Sequence, residues 1–331
     1  MNNSKLLEKI LKIEFPVIMA PMFLVSNVNM VIEAMKHGIA GAIPSLNYRT
    51  PGELGNAIDI LNNFYTSKEN KGTYGINLIV QKSNHQLQEH LDICVSKKVP
   101  FYITSLGNPK EVVDKAKSYG AIVFSDVTNL KHAEKVHEMG IDGFIAVCES
   151  AGGHSGTRAS NDFVPSLVKK FPGTPVIAAG GIANGKGILS MLSLGTMGVS
   201  IGTLFIASKE SEVSQEYKDA VVNSRMKDIV MTSRLSGAPV SIINTPYYKK
   251  LKKADKKRQK LEENAPLPKN KMQLMEEGIK MLQKSIESGN YNNLWVAGKS
   301  VEFIYKIKPV AKIIKALKKE FHLEKVRIKN S

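Results

Sequence analysis

Eight short apolar runs separated by stretches of helical period predict an α/β fold, a (β/α)8 TIM barrel with an appended, mostly helical C-terminal lobe. Three observations carry this expectation. The runs are continuous rather than alternating, as parallel strands buried on both faces require. They recur every 20–35 residues, which leaves room for a helix between neighbours. The rhythm then stops near residue 205, after the eighth run. An open doubly wound sheet is the alternative arrangement of the same elements.

In order, the runs are "PVIMAPM" (16–22), "IAGAIPS" (39–45), "YGINLIV" (74–80), "FYITSLG" (101–107), "AIVFSDV" (121–127), "GFIAVCE" (143–149), "PVIAAGG" (175–181) and "MGVSIGT" (197–203). Helical candidates lie between them at 28–37, 51–64, 84–97, 109–118, 128–139, 161–171 and 184–194. Past residue 205, "TSRLSGAPVSIINTPY" (232–247) reads as loop or irregular structure. A lysine-rich helical stretch, another over 270–288 and a last helix near 309–321 follow. The expected parts are a barrel over 1–209, a helical lobe over 210–295, and a C-terminal helical segment over 296–331 that packs back on the barrel.

With 331 residues, 43% hydrophobic and 23% charged, the chain is long enough to bury a large core and has a globular composition. The start, "MNNSKLLEKILKIEFP", puts charges among its apolar positions, so no signal peptide is expected. No uncharged apolar run reaches the 18 residues of a membrane span. Cys94 and Cys148 lack metal-ligand spacing and fit a reduced cytoplasm, with no metal site. The net charge of +16 is concentrated: residues 246–271 carry ten Lys/Arg against three acids, and residues 308–331 carry eight against two. With no zinc, helix-turn-helix or aromatic RNA-binding signature beside them, these lysines read as solvated helix faces rather than a nucleic-acid site.

In such barrels the active site lies at the C-terminal ends of the strands. Ala20, Pro21, Met22, Asn77, Ser105, Asp126, the 149–156 loop, Gly180-Gly181 and Gly202-Thr203 all fall there. Each alone reads as an ordinary turn, but together they mark one rim. The loops after the seventh and eighth strands commonly bind a phosphate, and Gly180, Gly181, Gly202 and the Thr203 hydroxyl suit that task. "GGIANG" lacks the G-x-G-x-x-G spacing of a dinucleotide site. A flat cofactor extended from the phosphate would reach Met22, with backbone groups of residues 20–22 open to its polar edge. Asn77 would donate and accept in one plane, unless it is simply a turn residue. In "CESAGGHSGTR" (148–158), Gly152, Gly153 and Gly156 permit positive φ or close approach. The expectation is that they let the loop cross near the ring and leave His154 facing the substrate.

Together "PVIMAPM", "YGINL", "AGGHSG", "VIAAGGIANGKG" and "GVSIGTLFIASKES" resemble the nitronate monooxygenase family, formerly called 2-nitropropane dioxygenases. The resemblance covers the barrel to about residue 220 and continues more weakly through "LSGAPVSIINT" and "NLWVAGKSVE". It implies one non-covalent FMN at the barrel mouth, held by Ala20, Pro21, Met22, Asn77, Gly152, Gly181, Ser200, Ile201, Gly202 and Thr203. The glycine clusters add Gly153 and Gly180. The resemblance implies a catalytic role for His154 and a small-molecule substrate, an alkyl nitronate, oxidised with O2 to a carbonyl compound and nitrite. His154 would then position the nitro oxygens, and act as a base only on neutral nitroalkanes. No nucleic-acid or membrane partner is implied, and a homodimer is left open. Val147 departs from the Gln or Glu common in the family, and Leu204 from its Arg.

Three other readings compete. A flavin-dependent enoyl-acyl-carrier-protein reductase using NAD(P)H shares the barrel and the "AGGH" motif, though "PVIMAPM" tells mildly against it. A dehydrogenase of the inosine-monophosphate type would use Cys148 as nucleophile, but the glycine-serine context is missing and a buried structural cysteine is commoner. A flavin-binding protein without turnover is the non-catalytic case.

Overall fold

Residues 4–233, 239–261 and 294–330 are described by the computed structural model. Eight parallel strands close the barrel: β1 (Val17–Met19), β2 (Ala40–Pro44), β3 (Thr73–Ile79), β4 (Phe101–Ser105), β5 (Ile122–Val127), β6 (Gly143–Val147), then β8 (Val176–Ala179) and β9 (Gly198–Ile201). Closure comes from β9 pairing back onto β1, with Ile18 opposite Ser200. A two-residue strand, β7 (Gly153–His154), leaves the barrel between β6 and β8. Each barrel strand lies within one of the eight apolar runs, Thr73 at the start of β3 excepted.

Alternation along the strands divides their side chains between two cores. Ile18, Ala40, Ala42, Phe101, Ile103, Phe124, Ile145 and Ile177 fill the barrel interior. Val17, Met19, Ile43, Ile76, Tyr102, Val123, Phe144 and Val176 face the helices. The interior is tightly fitted: a Cβ on Gly75 would lie 2.4 Å from the Phe101 ring, so the small residue makes room for the large one. Side-chain caps start several of the outer helices. Thr50 and Glu53 form a capping box, and Asn27, Asn129 and Asn184 each accept a backbone N–H of the first turn.

The N-terminal segment is built into the fold. It forms a helix, Ser4–Leu11, whose Leu7 and Leu11 join the interior core at the end opposite the expected site. Gly198 accommodates it, since a Cβ there would lie 2.2 Å from Leu7 Cδ2. The C-terminal helix, Val310–Lys329, packs on the helices Val28–Lys36 and Gly185–Ser193. It buries Val310, Ile313, Ile314, Leu317 and Phe321 and leaves Lys312, Lys315 and Lys319 exposed. Glu320 accepts the Gly185 N–H at 3.0 Å, and Phe321 meets Phe15 edge-on at 5.4 Å.

The segment 232–247 departs from the expectation of loop. β10 (Ile229–Thr232) and β11 (Val240–Ile243) pair antiparallel, and β11 also pairs with β7. Runs of four residues carry little periodic signal. Their order comes from tertiary partners instead: Val240 and Ile242 bury against Tyr248 and Leu294. Helices Gln215–Asn223 and Pro246–Leu261 flank this sheet, while the helical stretch expected over 270–288 lies outside the described residues. Among the described residues no helix is long and apolar enough to cross a membrane.

Candidate active site

A cavity of about 470 Å3 opens at the C-terminal ends of the barrel strands. Every site residue nominated from the sequence lines it: Ala20, Pro21, Met22, Asn77, Gly152, Gly153, His154, Gly180, Gly181, Ser200, Ile201, Gly202 and Thr203. Leu46, Ile79, Ile145 and Val147 supply apolar wall. Ser105, Asp126, Thr128 and His132 also line it. Sequence reasoning places Ser105 and Asp126 on this rim without assigning them a role and misses Thr128 and His132, because single polar residues at strand ends and turns form no motif.

The β6 loop is held by backbone crossings. A Cβ on Gly152 would lie 2.9 Å from Gly298 N, one on Gly298 2.5 Å from Ser150 O, and one on Gly156 2.4 Å from Val147 O. The room made by Gly152 and Gly156 is therefore taken by the chain itself, where the sequence suggested that they let the loop cross near a ring. The 294–301 segment crosses over the loop, with Trp295 buried and stacked on Tyr217 at 5.6 Å. Gly153, at φ +73°, turns the chain into β7, where His154 pairs with Val240 and Ser155 Oγ lies 3.0 Å from Ser241 Oγ. His154 keeps accessible surface because it borders the cavity, while the protein around it lowers its pKa by desolvation.

Hydrogen-bond accounting changes the expectation for residues 20–22. The Ala20 N–H donates to Ile201 O at 2.9 Å, and the Met22 N–H donates to Ser26 Oγ at 2.9 Å. Pro21 has no N–H. This turn offers no free backbone donor, and it contributes chiefly surface, with Met22 Sδ beside Gly202. At the β8 and β9 ends, Gly180 and Gly181 take φ +120° and +75°, a region that L side chains rarely adopt. Thr203 Oγ1 accepts the Gly298 N–H at 3.0 Å, which leaves the hydroxyl hydrogen to be donated.

Asn77 is also constrained. Its Nδ2 donates to Ile103 O at 3.0 Å and to Ser105 Oγ at 2.8 Å. A carbonyl can only accept, so the amide cannot be flipped. Both N–H bonds are spent, and Asn77 presents only Oδ1 as an acceptor, where the sequence suggested a donor and acceptor together. Ser105 in turn donates to Asp126 Oδ2 at 2.6 Å.

The ionisable groups among the described lining residues are Asp126, His132, His154 and Tyr217, with no Lys or Arg. Burial raises Asp126 to about 6, against a smaller opposing effect of the Ser105 hydrogen bond. Burial lowers His132. Cys148 is buried outside the cavity lining, with Sγ 3.5 Å from Ala146 O, and burial followed by the Glu149 charge raises its thiol to about 12. A thiol held protonated in this way is no nucleophile.

The chain's likenesses agree with this geometry. The family described as nitronate monooxygenase matches residues 4–320. A probable nitronate monooxygenase of Staphylococcus aureus is 26% identical over 293 residues, covering 75% of this chain and 81% of that protein. FabK from Thermotoga maritima superposes with a TM-score of 0.83 at 29% identity over 97% of each chain. Nitroalkane oxidase from Streptomyces ansochromogenes gives 0.80 at 19% identity, over 97% of this chain and 99% of that one, a likeness of fold. With a match spanning nearly its whole length and a closed barrel carrying one convergent cavity, this chain belongs to the nitronate monooxygenase family of oxidoreductases.

Proposed function

We propose that the protein is an FMN-dependent nitronate monooxygenase that oxidises alkyl nitronates, and neutral nitroalkanes as well, with O2 to carbonyl compounds and nitrite. The observation that carries this reading is the placement of His154 on the same cavity as the β8 and β9 glycine turns and the Asn77 acceptor. The residues present fit FMN: apolar wall for a ring, an acceptor for a ring N–H, and a glycine end with a Thr203 hydroxyl for a phosphate. Bound there, FMN would supply the electron-accepting ring.

The chain's own residues do the rest. Gly180, Gly181, Gly202 and Thr203 hold the phosphate end, Asn77 Oδ1 orients the ring edge, and Met22 flanks it. On a neutral nitroalkane, the unprotonated ring nitrogen of His154 takes the proton from the carbon beside the nitro group. On a nitronate that proton is already gone, and His154 positions the nitro oxygens. Ile145, Val147 and Ile79 exclude water from the reacting carbon. Oxygen uptake with release of nitrite on addition of propyl-2-nitronate tests the proposal. NADPH oxidation driven by an enoyl thioester, with no nitrite from any nitro compound, would replace it with the reductase reading.

A further inference from the structure

Asp126 is the one acidic side chain among the described residues that line the cavity, and it ends a directed chain of hydrogen bonds across three neighbouring strands. The direction is fixed at one end by chemistry. Ile103 O accepts from Asn77 Nδ2, so the second Nδ2 hydrogen goes to Ser105 Oγ at 2.8 Å. Ser105 has a single hydrogen, and it goes to Asp126 Oδ2 at 2.6 Å. Among the described residues no hydrogen-bond partner meets Asn77 Oδ1 or Asp126 Oδ1, and neither oxygen is sealed from the cavity.

We propose that Asp126 is a positioning residue for the cofactor: by taking the Ser105 hydrogen it keeps Ser105 an acceptor for Asn77, and so commits Asn77 Oδ1 to the ring edge. The inference rests on the FMN reading above. If the carboxyl were replaced by a group that cannot accept, Ser105 would turn its hydrogen elsewhere and the Asn77 contact would lose its anchor.

Titration gives the relay a second property. Burial holds Asp126 near 6, and among the described residues the other ionisable groups that face the cavity are His132 from helix Leu130–Glu138, His154 from β7 and Tyr217 from helix Gln215–Asn223. The neighbouring strands β4 and β6 present Ser105, Ile145 and Val147, which carry no charge. Above pH 6 the site therefore holds a carboxylate with no Lys or Arg beside it among the described lining residues. Below it, Oδ2 still accepts from Ser105 while the new hydrogen on Oδ1 makes that oxygen a donor. A carboxylate beside the ring opposes the gain of negative charge on the cofactor, so reduction becomes easier as Asp126 protonates.

The test compares FMN-loaded wild type with Asp126→Asn, Asp126→Leu and Ser105→Ala. FMN dissociation constants and midpoint potentials are measured from pH 5 to 8.5. Asp126→Asn keeps an acceptor for Ser105, so its FMN affinity at pH 7.5 stays within about threefold of wild type. Asp126→Leu and Ser105→Ala break the chain and weaken FMN about tenfold, a loss equal to one hydrogen bond. The wild-type potential changes slope near pH 6, and in Asp126→Asn that inflection is absent and the potential at pH 8 is more positive. Normal FMN binding with the same affinity and pH profile in all four proteins overturns the inference alone. A wild type that binds no FMN overturns both the inference and the reading beneath it.

Discussion

His154 pairs with Val240 across the β7–β11 ladder, so the histidine of the cavity is positioned by a strand the barrel does not contain. β7 is two residues long, and Gly153 at φ +73° lets the chain leave the barrel wall and enter this small sheet. The backbone of His154 is thus held by strand pairing, and the loop before it by the glycine crossings, so the side chain is carried at the cavity by fixed main chain.

Replacing the ring should therefore cost activity rather than architecture. His154→Asn is expected to lower turnover of neutral nitroalkanes by about 10²–10⁴-fold, the usual contribution of a general base. Turnover of preformed nitronates should fall much less, and FMN content should stay at the wild-type level. Parallel rate assays on 2-nitropropane and its nitronate, with flavin counted by absorbance, check all three. Equal small losses on both substrates would remove His154 from the catalytic role.

At the phosphate end, Gly181 combines a positive φ with a virtual Cβ only 3.0 Å from Ser150 Cβ. Gly181→Val should shift this turn and release FMN while far-UV circular dichroism stays that of the wild type. A folded variant with full flavin would move the phosphate site elsewhere.

The barrel was legible because strands buried on both faces write themselves as unbroken apolar runs, from "PVIMAPM" to "MGVSIGT". The rim residues were legible for the same reason, since a polar residue or glycine ending such a run stands out. The relay was not. Ser105 and Asp126 were visible as strand ends, but their coupling to Asn77 depends on the register that sets Asn77 opposite Ile103, which the sequence does not state. β10 and β11 escaped because their order comes from each other and from β7. The tying down of Ala20 by Ile201 and the cover supplied by Gly298 are contacts between segments distant in sequence, and no local pattern announces them.

His90 offers a test of the fold apart from the site. It is fully buried in helix Leu87–Ser96, and neither ring nitrogen has a hydrogen-bond partner among the described residues. Burial lowers its pKa, so the unfolded chain binds a proton that the folded chain refuses, and stability falls as pH drops below the unfolded value near 6.5. His90→Leu should stabilise by about 1–3 kcal/mol at pH 7 and by more at pH 5, as read from denaturant midpoints. A loss of stability at both pH values would mean the imidazole has a partner after all.

Asp126 shows the opposite sign. Its folded pKa is raised from 3.8 to about 6, so the folded state is favoured at low pH and loses that advantage as pH rises from 4 through 6. Asp126→Asn should stabilise FMN-free protein at pH 7.5 by up to about 3 kcal/mol, two pKa units at about 1.4 kcal/mol each, and by almost nothing at pH 4. Equal effects at the two pH values would assign the change to packing rather than charge.

The most direct measurement of the central claim is the visible absorption spectrum of the purified protein, recorded anaerobically before and after propyl-2-nitronate and, in a separate cuvette, NADPH. The expected result is a flavin spectrum with one FMN per chain, rapid bleaching by the nitronate and recovery of colour on admitting air, with nitrite in solution. A colourless protein, or a flavin that ignores the nitronate and bleaches at once with NADPH, would contradict it.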